Sequence, residues 1–293
     1  MHKWNPIDWT WGYEIEWGDI SKSVKIPEEL GSWEYCECDI LNLNPPYRGL
    51  AVDPYGINPP VGGEVNTKPT YGYEDQVDRI MDIHDIFVAN GDTPTAACVN
   101  HGHVHVRIPG LSKDMDSLKQ LTRYMFENQK TIVDFAYDFE ETPEMKGDKN
   151  KTYLKYDGGR MMPEWLCDNL MKAKDLDDYI RIYQCGKDAV SRGRPLRFAV
   201  NLYCLKHTDT IEFRCFRSST ERREIFDSFR FAEDLLNAAL YTGESADVLM
   251  ERNGYKLPKF NYSRWESDQW GKTKKKSDAS LKKRELHEII PND

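Results

Sequence analysis

Long apolar runs are missing from this chain of 293 residues. No segment approaches the ~20 consecutive apolar residues that a membrane-spanning helix needs, and residues 1–6 lack the apolar core of a signal peptide. These absences predict a cytoplasmic protein that does not enter a membrane. Internal repeats and a convincing linker are also missing, which favours one large folded domain over several small ones.

Cysteine is scarce, and its spacing is irregular. The seven cysteines are an odd number without the spacing of a disulfide framework, which fits reduced thiols in a cytosolic protein. Cys36 and Cys38 are separated by one residue, too few for a thioredoxin-type pair, and a zinc site would need a second pair that the sequence lacks. We therefore interpret the cysteines as structural.

Positive charge is in deficit, because the formal net charge is −9. An acidic surface repels polyanions, so general nucleic-acid binding is disfavoured. Residues 272–284 run against this average, with seven basic residues and one acid, Asp278. Such a basic tail is typical of a solvated, partly disordered extension, and the alternative is an anchor for an anionic partner. Nucleic acid is thus expected as a partner only through this tail.

The residues that are abundant predict a folded α+β protein. A content of 39% hydrophobic and 12% aromatic residues is that of a globular chain. Period-two alternation predicts strands over 12–17, 61–66 and 96–108, and an antiparallel hairpin from 196–205 and 210–216. Apolar spacing of three to four predicts helices over 74–89, 112–139, 163–185 and 220–241, with Ser112 and Thr220 as N-caps. Because hairpins join some of the strands, we expect a largely antiparallel sheet.

Ionisable residues follow the strand period in several of these segments. Glu14 and Glu16 share one face of the strand over 12–17, while Tyr13, Ile15 and Trp17 share the other. The same arrangement recurs at Glu64, at His103 and His105, at Glu212 and Arg214, and at Arg197 on the strand paired with the last. Taken singly, these are explained as solvated acids, hydrogen-bonded histidines or an exposed ion pair worth ~0–1 kcal/mol.

Taken together, the same residues predict a site for cations and phosphate. Acids that converge on one face of a sheet repel each other by ~4 kcal/mol per pair at ~4 Å. Divalent cations remove this repulsion, and a site rich in oxygen with one or two imidazoles suits Mg²⁺ or Mn²⁺. Arginines among such acids fit a polyphosphate, because guanidinium groups bind phosphate through two hydrogen bonds. The charges therefore favour a nucleotide enzyme over a simple metallohydrolase.

Five short segments, in this order, carry a family resemblance. They are Gly12-Tyr13-Glu14-Ile15-Glu16, Gly62-Gly63-Glu64-Val65, Gly102-His103-Val104-His105-Val106, Asn201-Leu202 and Thr210-Ile211-Glu212-Phe213-Arg214. Over roughly residues 10–242 the chain resembles the phage and bacterial amidoligases, which are carboxylate–amine ligases with the glutamine synthetase and glutamate–cysteine ligase fold. The resemblance implies a half-barrel sheet with helices on its convex side, and a cytoplasmic location, in the host if the protein is phage-encoded.

The resemblance also implies roles for residues and cofactors. The concave face would bind ATP and two or three Mg²⁺ ions, with Mn²⁺ as a substitute. Glu14, Glu16, Glu64, His103 and Glu212 are expected to bind metal. The residues expected to contact the nucleotide are His103, His105, Arg197 and Arg214, and those expected to act in catalysis are Glu212, Arg197 and Arg214.

The implied reaction joins a carboxylate to an amine, and each of the two is a small molecule or a group on a macromolecule. The catalytic domain would cover residues 1–257, followed by an aromatic and then basic extension over 258–293. The polar loop over 140–160 is expected to act as a lid, and Arg160 is a further basic candidate.

Two other functions remain open from the sequence. The same acids and histidines would suit a metal-dependent hydrolase or a phosphotransferase. The non-enzymatic alternative is a nucleic-acid or protein-binding module, which would use the basic tail and the aromatic residues Phe260, Tyr262, Trp265 and Trp270. Deletion of 258–293 would separate these, since a binding module would lose its function and a ligase would keep ATP turnover.

Overall fold

The computed structural model describes residues 4–18, 20, 23–36, 62–94, 101–137, 161–191 and 198–257. Several predicted features lie outside the described residues: Cys38, the loop over 140–160 with Arg160, Arg197, and the extension over 258–293.

An open antiparallel sheet of six strands lies at the centre of the described residues. The strands are β1 Thr10–Gly18, β2 Gly31–Cys36, β3 Gly62–Thr67, β4 His101–Arg107, β5 Val200–Asn201 and β6 Ile211–Arg217. Their order across the sheet is β2-β3-β1-β4-β6-β5, and every neighbouring pair is antiparallel. The strand that opens the chain therefore lies inside the sheet, between β3 and β4.

Six α-helices accompany this sheet in the part of the chain that the structure describes. They are α1 Tyr73–Ala89, α2 Met115–Tyr137, α3 Glu164–Leu170, α4 Leu176–Ser191, α5 Arg222–Asn237 and α6 Ala246–Asn253. The prediction of an α+β protein with a largely antiparallel sheet is confirmed. Among these described helices, none combines the length and the apolar character that crossing a bilayer requires.

The apolar face of β1 is the centre of the hydrophobic core. Trp11, Tyr13, Ile15 and Trp17 are all buried on this face. Phe229 of α5 packs against it, with its ring centroid 5.9 Å from that of Trp11 and 5.2 Å from that of Tyr13. Because helices cover this face, the acids that alternate with these residues project from the opposite face of the sheet.

The predicted N-caps of two helices are wrong. Ser112 lies in a 3₁₀ turn, and the helix begins at Met115 because Asp114 accepts hydrogen bonds from the Ser117 backbone N–H and hydroxyl, at 3.4 and 2.7 Å. Thr220 does not cap α5, which begins at Arg222. The hydroxyl of Ser219 instead accepts the Glu221 backbone N–H at 2.9 Å, and that hydrogen bond fixes the first turn.

Three other features of the secondary structure differ from the sequence prediction. The helical region expected over 163–185 consists of two helices, and the second extends to Ser191. The Asp175 carboxylate accepts the Asp178 N–H at 2.8 Å where this second helix, α4, begins. Within the described residues, the strand expected over 196–205 is only β5, because Tyr203–Lys206 forms a 3₁₀ turn. Strand β2 was not predicted, although Trp33 and Tyr35 alternate there with polar residues.

One partly buried acid of α5 makes the stability of the fold depend on pH. Burial, with the nearby charges of Asp234 and Glu74, raises the pKa of Glu233 from 4.5 to about 7. The folded state therefore prefers protonated Glu233. Its contribution to stability is complete below about pH 4.5 and is lost as the pH rises through about 7.

Glu233→Gln is consequently expected to be more stable than the wild type at about pH 8, by about 1 kcal/mol because solvent screens this partly exposed group. The gain should be absent at about pH 4.5, and urea denaturation at both pH values measures it. Glu251→Gln, which changes an exposed acid of α6, is the matched control. A difference between Glu233→Gln and wild type that is equal at both pH values would contradict this assignment.

Candidate metal centre

Strand pairing brings the predicted ionisable residues onto neighbouring positions of the sheet. In the register of β1 with β4, Glu14 lies opposite His103, and Gly12 lies opposite His105. In the register of β4 with β6, His105 lies opposite Glu212. Three strands that are distant in the sequence therefore deliver two carboxylates and two imidazoles to one patch of the sheet face.

The side chains of this patch are in contact. His103 Nδ1 lies 2.9 Å from Glu14 Oε2, and His105 Nε2 lies 3.1 Å from Glu14 Oε1. Glu212 Oε1 lies 3.8 Å from His103 Nδ1 and 3.9 Å from His105 Nε2. An ionised carboxylate only accepts hydrogen bonds, so Nδ1 of a neutral His103 carries the hydrogen that is donated to Glu14.

Glu14, His105 and Glu212 fit the requirements of a metal site. One ligand atom from each lies within 4.8 Å of the others. Two ligands of an octahedral ion with bonds of about 2.1 Å are about 3.0 Å apart when adjacent and about 4.2 Å apart when opposite. The distances of 3.1 and 3.9 Å from His105 Nε2 to the two carboxylates lie within this range. This buried nitrogen makes no hydrogen bond of good geometry with the described residues.

A β-bulge in β6 sets the position of Arg214. Gly102 pairs with Phe216 and Val104 pairs with Phe213, so Arg214 and Cys215 together lie opposite the single residue between, His103. The guanidinium of Arg214 donates to Glu212 Oε1, and its Nη1 lies 3.3 Å from His103 Nδ1. After the bulge, Cys215 and Phe216 are both buried, so the alternation of side chains between the two faces of the sheet is shifted by one position.

The charges of the cluster favour ionised carboxylates and a neutral imidazole. Burial raises the pKa of Glu14, but the hydrogen bond with His103 and the close approach of the His105 and His103 imidazoles outweigh burial and hold this pKa well below 4.5. Burial likewise opposes the ionisation of Glu212, and the charge of Arg214, followed by those of the two histidines, lowers its pKa below 4.5. Burial lowers the pKa of His103 below 6.5, against the hydrogen bond to Glu14. These protonation states are the ones in which such groups bind metal.

The other predicted ligands lie beside this cluster. Glu16 and Glu64 are directly opposite each other in the register of β1 with β3, one strand pair away from the histidines. Both are partly exposed, and Glu64 Oε1 accepts a hydrogen bond from Asn66 Nδ2 at 2.9 Å. The structure therefore brings Glu14, His103, His105, Glu212 and Arg214 together and leaves Glu16 and Glu64 as an adjacent pair. Arg197 lies outside the described residues.

Two contacts of Glu212 were missed by the sequence interpretation. Asn201 Nδ2 donates to Glu212 Oε2 at 2.6 Å, and the Cys204 thiol lies 3.2 Å from the same oxygen. The contact of Asn201 could be predicted from the sequence, because pairing the two strands of the expected hairpin places Asn201 opposite Glu212. The contact of Cys204 could not, because a 3₁₀ turn brings it back toward the sheet.

Comparison of the chain with models of protein families finds no match, and comparison with curated proteins finds none either. The resemblance to the amidoligases, which is carried by the short segments around Glu14, Glu64, His103, Asn201 and Glu212, therefore stays a prediction.

Proposed function

We propose that this protein is an ATP- and Mg²⁺-dependent carboxylate–amine ligase that forms an amide or isopeptide bond and releases ADP. The observation that carries the proposal is the cluster of Glu14, His105 and Glu212, whose ligand atoms lie within 4.8 Å of one another, with Arg214 paired to Glu212. The cluster combines a cation site with a guanidinium group, which are the two elements that bind a nucleoside triphosphate. The amidoligase resemblance supports the same activity.

The acids of the sheet face would hold the cations. Glu14, His105 and Glu212 would form one site, and the adjacent pair of Glu16 and Glu64 would contribute to a second. The proposed cofactor is Mg²⁺, as two or three ions, with Mn²⁺ as a substitute favoured by the imidazole ligand. Bound cations would neutralise the phosphate oxygens and the charge that develops on them during transfer.

The reaction would take place in two steps. The oxygen of a substrate carboxylate attacks the γ-phosphorus of ATP, and the bond to the β–γ bridging oxygen breaks, which gives an acyl phosphate and ADP. The nitrogen of a substrate amine then attacks the acyl carbon, phosphate leaves, and a base accepts the proton of the amine. Arg214 would hold the transferring phosphoryl group through its guanidinium donors, and His103 would contact it from β4.

We also propose a more specific fold than the order of the strands defines. The open sheet would curve into a half-barrel of the glutamine synthetase type, with α1 and α5 on its convex side. The catalytic domain would span residues 1–257, with 258–293 as an extension. The antiparallel strand order and the packing of Phe229 and Phe87 on the opposite face of β1 support this assignment.

The test is ADP release with Mg²⁺ and ATP, measured against a panel of carboxylates and amines. Release is expected only when both substrate classes are present, and mass spectrometry should find a product equal to their sum minus one water. The substrate panel should include small molecules and macromolecule-linked groups. Release of ADP without any condensed product, for every pair in the panel, would contradict ligation.

A metal-dependent hydrolase or phosphotransferase is the second candidate, because two carboxylates and one imidazole around one position also suit a hydrolytic metal. This alternative predicts phosphate release or phosphoryl transfer that needs no amine. The same assay distinguishes the two, since omitting the amine stops a ligase and leaves a hydrolase active.

A further inference from the structure

The side-chain amide of Asn201 has a fixed orientation. Its Oδ1 accepts two hydrogen bonds, from the Tyr183 hydroxyl and from the Tyr203 backbone N–H, both at 3.1 Å. Two donors on one side identify that atom as the oxygen, so the nitrogen faces the other way, toward Glu212. Asn201 is 4% exposed, and no bulk water competes for these contacts.

Asn201 divides the two oxygens of Glu212 between different partners. Oε2 accepts the Asn201 amide at 2.6 Å and has the Cys204 thiol 3.2 Å away. Oε1 faces Arg214 and the two histidines. Since a neutral amide already holds Oε2, a cation at the cluster would meet Glu212 through Oε1 alone.

Tyr183 holds Asn201 from the far side of the site. Its side chain is fully buried in α4 and packs edge-on against Phe198, with ring centroids 5.4 Å apart. Burial raises the pKa of Tyr183 well above 10.0, so its hydroxyl stays a donor. The chain of contacts therefore leads from the core through Tyr183 and Asn201 to one oxygen of Glu212.

We propose that Asn201, anchored by Tyr183, is a positioning residue that makes Glu212 a one-oxygen ligand of the cation. This inference rests on the metal site of the proposed function. Partners that orient a metal ligand contribute about 10–100-fold to metal affinity. Without the Asn201 amide, Oε2 of Glu212 loses the hydrogen bond that holds it away from the cation, and the carboxylate can present both oxygens.

The experiment titrates the purified protein with Mn²⁺ and follows free Mn²⁺ by electron paramagnetic resonance. Asn201→Ala is expected to bind about 10–100-fold more weakly at unchanged stoichiometry. Tyr183→Phe, which loses one hydrogen bond to Asn201, is expected to bind about 3–10-fold more weakly. Tyr179→Phe is the matched control. Tyr179 is also fully buried in α4, but its hydroxyl forms a hydrogen bond with Thr122 at 2.9 Å and not with Asn201. The Mn²⁺ affinity of Tyr179→Phe should therefore equal that of the wild type.

A spectroscopic readout separates positioning from loss of packing. With Co²⁺ in place of Mn²⁺, a change from one to two bound carboxylate oxygens alters the visible spectrum. Asn201→Ala should show this change and Tyr179→Phe should not. Tyr183→Phe, which removes a single hydroxyl group, keeps the test decisive if Asn201→Ala does not fold.

The failure of this inference is distinguishable from failure of the metal site. If Asn201→Ala and Tyr183→Phe bind Mn²⁺ like the wild type while Glu212→Gln does not, the metal site stands and the positioning role is wrong. If the wild-type protein itself binds no Mn²⁺, the metal site fails and the positioning role is overturned with it. Equal losses in Tyr183→Phe and Tyr179→Phe would show an effect of packing alone.

Discussion

Glu212→Gln is expected to lower ATP-dependent ADP release by about 10²–10³-fold or more. The substitution removes the charge of a buried ligand whose Oε1 is shared by Arg214 and approached by both histidines. A neutral amide binds a divalent cation weakly, and it no longer balances the guanidinium of Arg214. Steady-state ADP release and Mn²⁺ binding should both be lost, since one carboxylate serves both.

The same substitution should leave the fold intact. Glutamine has the shape of glutamate, but its NH₂ group must face either Asn201 Nδ2 or Arg214, and both of these are donors. One unsatisfied buried donor costs about 1–3 kcal/mol, which lowers the melting temperature without unfolding the protein. Glu251→Gln on the exposed face of α6 is the control and should have wild-type rates. Near-normal ADP release by a folded Glu212→Gln protein would rule out the proposed ligase site.

Local alternation carries much of the information about this site. Glu14 and Glu16 lie two positions apart, as do His103 and His105, and the single apolar residue between each pair leaves only one face for the charged groups. Burying the apolar residues of β1 and β4 in one core then places the charged residues of both strands on the opposite face of the sheet. For this reason the sequence alone predicts one common face of the sheet for Glu14, His103, His105 and Glu212.

Contacts that depend on irregular backbone were not predictable in the same way. The segment from Ile211 to Phe216 alternates regularly up to Arg214, and only the successive buried residues Cys215 and Phe216 reveal the bulge. Tyr183 reaches Asn201 from a helix, so its role depends on how α4 packs beside β5. No period in the sequence encodes that packing. The predicted N-caps of two helices were wrong for a related reason. Asp114 and Ser219 lie close to Ser112 and Thr220 in the sequence and have side chains that accept backbone N–H groups equally well.

Phe229→Ala is expected to reduce the free energy of unfolding by about 3–5 kcal/mol, the usual range for a phenylalanine in a packed core. Phe229 is fully buried, and its ring packs against Trp11, Tyr13 and Tyr73 at centroid distances of 5.9, 5.2 and 6.1 Å. Its removal leaves a cavity between α5 and the apolar face of β1. Since the free energy of unfolding of a whole domain is about 5–15 kcal/mol, this loss is a large share of the stability.

Denaturation in urea measures this loss. The urea concentration at the midpoint of unfolding should fall, while the slope of the unfolding free energy against urea concentration should stay unchanged. Phe226→Ala, on the same helix, is the matched control because Phe226 is only partly buried, with its ring 5.4 Å from that of Tyr73. A loss of about 1 kcal/mol is expected there. Below its midpoint, Phe229→Ala should still bind Mn²⁺, because the backbone pairing of β1 with β4 that aligns Glu14 with His103 does not depend on this ring. Equal losses of stability in the two variants would contradict the packing of α5 on the face of β1 opposite the metal cluster.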